Sequence, residues 1–492
     1  MLTPLPSAKW DYDKAAHLLN RAAFGGTPEE IEALRKKGIY RAVEELVSPS
    51  NDSLGVAPPA WAHPQNIRDI RMAIREAKNE PMEQREKRRG FRMMEGANIL
   101  DLRGWWLQRM ATTPAPFLEK MTLFWHGHFA TSAEKVKDGY WLWKQNETLR
   151  RGALGNFPSL TKAISRDPAM MIYLDLQQNH KEKPNENWAR ELMELFTLGI
   201  GNYTEQDVKE SARAFTGYRI DMTTQQFRYA PFQFDSRPKT FLGQTGNWNG
   251  DEILDIITRQ PACAKFIARK LWRFFAEDQP SEQMVAAVAE RLRAHNLEMR
   301  PVLREIFSSA EFYSDRAMGN QIKSPVQFLV QTTKLLGTEL PPPQIAQNAM
   351  RQMGQILFAP PNVKGWDGGK AWISTSTLLF RYNFTNYLIN GDAMRPGAPG
   401  KKNGGDVAFR PRVMNNTPIP PRAPIDLAKL IPDELRAQPN ELIAQLCKRL
   451  SLPPNETKTF ASYLESRAPD TSDETMRGLL HLMMSTPQFQ LA

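Results

Sequence analysis

"PFLEKMTLFWHGHFATS" spans Pro116 to Ser132, and the reading of this stretch decides the architecture. Phe117, Met121, Phe124 and His128 recur at i, i+4, i+7 and i+11, which places them on one face of a helix. In a continuous helix, residues two apart point about 200° away from each other. His126 and His128 then cannot both hold one ion. In an extended backbone, period two puts both rings on the same side. Gly127 weakens a helix and makes a local break feasible. The histidine pair is therefore a metal candidate only if the helix ends near Trp125. The alternative is two hydrogen-bonded rings inside a helix–helix contact.

Outward from this segment, helical signals dominate. In "FGGTPEEIEALRKKG", Thr27 caps a helix, Pro28 takes its first position, Glu30 completes a capping box and Gly38 closes it. In "YTEQDVKESARAFTG", Thr204 starts a second helix, Val208, Ala212 and Phe215 form its buried stripe, and Gly217 stops it. Another helix runs from Asp251 to Arg259, and Pro261 separates it from "ACAKFIARKLWRFF". Residues 218–235 alternate loosely and predict a small hairpin. The expected fold class is all-α: a large multi-helix domain over 1–392 with at most a small β-hairpin, a Pro/Gly-rich loop or linker over 393–424, and a C-terminal helical module over 425–492 packed on the main domain. A weak internal echo links "ARKL" (268–271) and "SSAEF" (308–312) to "CKRL" (447–450) and "STPQF" (485–489). A duplicated module and a chance recurrence of apolar patterns both fit it.

The chain of 492 residues is long enough for a large core, and no run approaches 18 apolar residues, so no transmembrane helix is expected. The first residues show no basic region followed by an apolar one, so the chain as written reads as unexported. Two cysteines, Cys263 and Cys447, exclude a disulfide framework and read as small buried residues. The net charge of +10 is moderate. The basic run "EQREKRRGFR" (Glu83 to Arg92) reads as a solvated helix face or a polyanion contact, without a recognised nucleic-acid motif.

Three other segments could carry chemistry. In "NENWARELMELFTLG", Asn187, Glu191 and Glu194 share a face beside the apolar stripe of Trp188, Leu192 and Leu195. Carboxylates there need a cation, either a metal ion or an arginine such as Arg190 or Arg213. In "HLLNRAAFGG", His17 and Arg21 are i, i+4 neighbours, a pair that says little alone, and Asn20 and Arg21 could equally hold the following Phe24-Gly25-Gly26 turn. In "APPNVKGWDGGKAWISTSTLLFRYNF", Trp366 and Trp372 sit in an ordered-looking loop. Exposed, they could stack on a sugar ring or dock a partner; buried, they pin the loop.

Taken together, "HLLNRAAFGGTPEEI", "KMTLFWHGHFATS", "NENWARELMELFTLGIGNYTEQDVKESARAFTGY", "FIARKLWRFF" and "KGWDGGKAWIS" resemble the successive signatures of the bacterial family catalogued as domain of unknown function 1800. The resemblance brings no activity with it. It implies proteins that are often exported and often encoded beside a sulfatase-like family, a partner by association. It also implies a histidine in many relatives where this chain has Phe196, which argues mildly against a metal site built on that position. Three of the seven histidines, His17, His126 and His128, fall inside the signature segments.

Two functional classes follow. The first is a metal-dependent enzyme of hydrolytic type. His126, His128 and Glu191 would hold a divalent ion (zinc, manganese or iron), Glu194 would act as ligand or general base, and Arg190 would stabilise anionic charge. The second is a non-enzymatic binding or accessory protein that holds a partner protein or acidic polysaccharide through the Trp366/Trp372 loop and the basic segment near Arg88. A metal-free glycosidase ranks last, because Glu191 and Glu194, three apart on one helix, cannot flank a scissile bond.

Overall fold

The computed structural model describes residues 2–49, 57–64, 81–391, 422–453 and 456–492. Among them are 23 α-helices and two small antiparallel hairpins, an all-α fold as expected. The caps fall where the sequence put them. Thr27 and Glu30 form a capping box at the head of Pro28–Lys36, and Thr204 and Asp207 form one at the head of Glu205–Ala214. The expected hairpin pairs Tyr218–Asp221 with Gln226–Tyr229. A second pairs Lys239–Phe241 with Gln244–Gly246. Most of the expected linker, 392–421, lies outside the described residues.

The helix Pro116–His128 lies between two cores. Phe117, Met121, Phe124 and Trp125 pack into a cluster with the helices of residues 12–47 and 157–307. Leu123 packs into a second cluster with Trp106, the helices of residues 325–390 and the C-terminal helices. All of its side chains except those of Pro116 and Gly127 are buried. A helix covered on every side shows little amphipathic pattern, because it has no solvent face.

The internal echo has a structural counterpart. Helices Pro261–Phe275, Glu282–Ala294 and Met299–Phe307 lead into a 3-10 turn, Ala310–Tyr313. Helices Pro439–Leu450, Thr457–Glu465 and Asp473–Met484 lead into another, Gln488–Gln490. Each turn buries one phenylalanine, Phe312 or Phe489. Its backbone N–H donates to a hydroxyl three residues earlier, Ser309 or Thr486. That hydroxyl donates in turn to a carbonyl three residues further back, Ile306 or Met483. Antiparallel bridges flank the two turns at different places, Pro4 with Ser309 before the first and Ile322 with Leu491 after the second. Such agreement in element order and in local bonding favours duplication over chance.

Candidate functional site

The helix does not break beside Trp125. It continues through Gly127 to His128, so the two imidazoles diverge. His126 lies edge-on to Trp106 and Phe358, and its Nε2 accepts the Phe358 backbone N–H at 3.0 Å. Phe358 adopts a left-handed φ of 59°, a costly conformation for a bulky residue, and His126 fastens it. His128 points elsewhere. Its Nε2 donates to the Phe196 carbonyl at 3.0 Å, and its Nδ1 lies 3.2 Å from the Lys270 amine. Burial and nearby cations (Arg103 for His126, Lys270 for His128) hold both rings neutral, His126 at about 3 and His128 well below its ordinary value.

The Phe196 carbonyl is free for His128 because Leu192–Thr197 forms a π-turn at the end of Asn187–Glu191. The last carbonyls of a helix lack intrahelical partners, and here side chains supply them. Phe196 offers its oxygen to His128, and Leu195 offers its oxygen to Lys270 at 2.9 Å. The Phe196 ring itself lies 6.0 Å from the His128 ring. Three signature segments thus meet at one point.

A fourth joins them. Gly365, at φ 87°, lies so close to the Gly127 carbonyl that a Cβ there would run into it. This contact seats the 359–372 loop against the end of the helix and brings Trp366 to 5.8 Å from His126. Beside it opens a cleft of about 670 Å³, lined by residues from Arg21 to Leu491. Trp366 and Trp372 both line it, Trp366 half-buried and Trp372 buried.

The cleft is strongly cationic, with seven lysines and arginines facing three carboxylates. Each carboxylate is paired: Glu277 with Arg316, Asp278 with Arg273 and Asp367 with Lys364. The deeper cations are not. Among the described residues, Arg21, Lys120 and Lys270 form no ion pair. Arg21 donates to the backbone carbonyls of Phe274 and Phe275 and to the Gln321 amide oxygen. Lys120 donates to Gln327 at 2.8 Å and lies over the Phe24 and Phe274 rings. Burial pulls Arg21 down to about 9, Lys120 well below its ordinary range, and Lys270 to about 7. A buried cation without a counter-ion costs several kcal/mol unless something repays it.

The remaining sequence-stated residues disperse. His17 packs on Phe312 and Tyr313 and bonds the Phe312 carbonyl, away from His126 and His128. Arg190 pairs with Glu205 and Glu186 at the surface. Glu194 accepts from the Tyr203 hydroxyl at 3.0 Å. Glu191 is half-buried, and burial, with the nearby Glu194, pushes its pKa up. Among the described residues, no three His, Cys, Asp or Glu side chains gather closely enough to hold a metal ion, so His126, His128 and Glu191 do not form one ligand set. The basic run near Arg88 lies on the exposed first half of Pro81–Thr112, outside the cleft lining. Sequence reading missed Lys120 and Lys270. A signal existed for Lys270: phenylalanines stand four residues before and after it, Phe266 and Phe274, which puts the lysine on an aromatic face.

Fold and cleft together define an all-α protein with a cation-rich cleft at the seam of two cores. The sequence model of one family, described as a protein of unknown function (DUF1800), matches residues 17–491, and the chain belongs to that family. No curated protein matches the chain, and no solved structure does.

Proposed function

We propose that this protein binds an acidic ligand in the cleft beside the Trp366 loop. One observation carries the reading: Arg21 and Lys120 lie buried at the cleft and, among the described residues, form no ion pair, while the cleft's own carboxylates are each paired with other cations. An anion entering there would offset the cost of burying those charges. Trp366 adds a flat apolar wall of the kind that stacks on a sugar ring or another planar group. An acidic saccharide combines both features, and it is also a natural neighbour for the sulfatase-like partner implied by the resemblance. The metal-dependent hydrolase has less support, since His126, His128 and Glu191 do not converge.

The test is calorimetric titration at low salt with uronate- and sulfate-bearing oligosaccharides, using neutral oligosaccharides of equal length as controls. Binding of the acidic series alone, weakened by salt and by Lys120→Met, is the expected result. Equal binding of neutral chains, or no binding of either, would overturn the reading.

A further inference from the structure

The Lys270 amine is held in an unusual way. The backbone oxygen of Phe196 can only accept, so His128 Nε2 carries the ring proton. His128 Nδ1 is then a bare acceptor, and it faces Lys270 at 3.2 Å. The Leu195 carbonyl, at 2.9 Å, is a second acceptor. The structure gives this nitrogen two acceptors and no carboxylate among the described residues. A neutral amine satisfies both with its two N–H bonds, and its lone pair then occupies the remaining tetrahedral direction. An ammonium would carry a third N–H, for which the described residues offer only the face of the Phe266 ring, 4.8 Å away, and no oxygen or nitrogen acceptor. The same lysine lines the cleft.

We propose that Lys270 is a nucleophile that captures the carbonyl carbon of an anionic oxo compound, such as a 2-oxo acid, as an imine. The lone pair on Nζ forms the C–N bond while the carbonyl π pair moves to oxygen. Protons exchanged with water in the cleft convert that oxygen to a leaving water, and a C=N bond remains. One amine and one carbonyl compound thus give one imine and one water, with no change of oxidation state. Burial, with the Lys364 and Arg273 charges, draws the amine down to about 7, so the reactive form is populated near neutrality. The neutral ring of His128 adds no charge. Asp278 and Asp367 are already paired with Arg273 and Lys364. The choice of an anionic carbonyl rests on the reading of the cleft as an acid site; the amine chemistry does not.

The experiment treats the full chain with pyruvate and sodium borohydride, and in parallel with neutral acetaldehyde and borohydride. Peptide mass spectrometry then locates the reduced adduct. The expected result is selective labelling of Lys270 by pyruvate, at least tenfold over other lysines, with a rate that rises through pH 7 and levels off by about pH 9. Lys270→Met should lose the label; if that variant fails to fold, the wild-type peptide map still decides. Labelling of Lys270 by acetaldehyde but not pyruvate keeps the imine and overturns the anionic-substrate part. Labelling no faster than at surface lysines with both probes overturns the proposal, while the oligosaccharide titration judges the binding reading separately.

Discussion

Glu119 and Lys120 are neighbours on one buried helix, yet the protein treats them in opposite ways. The Glu119 carboxylate receives hydrogen bonds from Arg109, Arg150 and the Trp106 indole, and it stays ionised below the usual carboxylate range despite complete burial. Lys120 has an amide, two aromatic rings and, among the described residues, no carboxylate. The first region is an ion network closed on itself, which holds the helices together. The second is left open on the side of the cleft. A buried charge with its partner built in serves the fold; on the proposed reading, one without takes its partner from a bound ligand.

The largest effect expected from breaking this contrast is at Glu119. Glu119→Gln removes the carboxylate that Arg109 and Arg150 share, leaving Arg150 its pair with Glu147, and should lower stability by about 3–5 kcal/mol, read by urea denaturation. Lys120→Met should act with the opposite sign. Removing an uncompensated cation should leave stability unchanged or raise it by about 1 kcal/mol, with Gln327 losing one donor, while acidic oligosaccharide binding falls at least tenfold.

Titration sharpens the comparison further. His17 and His126 sit at about 3 in the folded chain against 6.5 ordinarily. Below about pH 6.5 the unfolded chain binds more protons, so stability falls as pH drops towards 3. Lys270 and Lys323 sit at about 7 against 10.5. Between those values the unfolded chain again binds more protons, so their contribution to stability rises with pH over that window. Melting curves from pH 4 to 10 should show both limbs, with the acid limb flattened in His126→Gln and the alkaline limb in Lys270→Met. Trp366→Ala should weaken ligand binding several-fold without lowering the melting temperature. The smallest effect is at Arg190, whose pairs with Glu186 and Glu205 lie at the surface; Arg190→Ala should be indistinguishable from wild type in stability and binding.

Much of the fold was legible because caps are local. Thr27, Glu30 and Thr204 announce helix starts without reference to the rest of the chain. The second hairpin escaped because its strands are only three residues long. The site was half legible. The geometry of the histidine pair followed once the backbone at Gly127 was known, but the backbone was the unknown. Lys120 was hidden because its helix is covered on all sides, which erases the periodicity that tells buried from exposed. The π-turn at Leu192–Thr197 gave no compositional sign, yet it frees the two carbonyls that hold His128 and Lys270.

The cleft takes one lining residue from position 21 and another from position 491, with Lys120 and Lys270 between them. On a growing chain, Lys120 leaves the ribosome more than 200 residues before Gln327, the amide that holds it. Until that partner arrives the lysine is wet, protonated and no burden. Its desolvation is deferred to the closing stage of assembly, when contacts distant in sequence are made. The strain of the site is therefore kept out of the early folding nucleus and confined to the finished molecule.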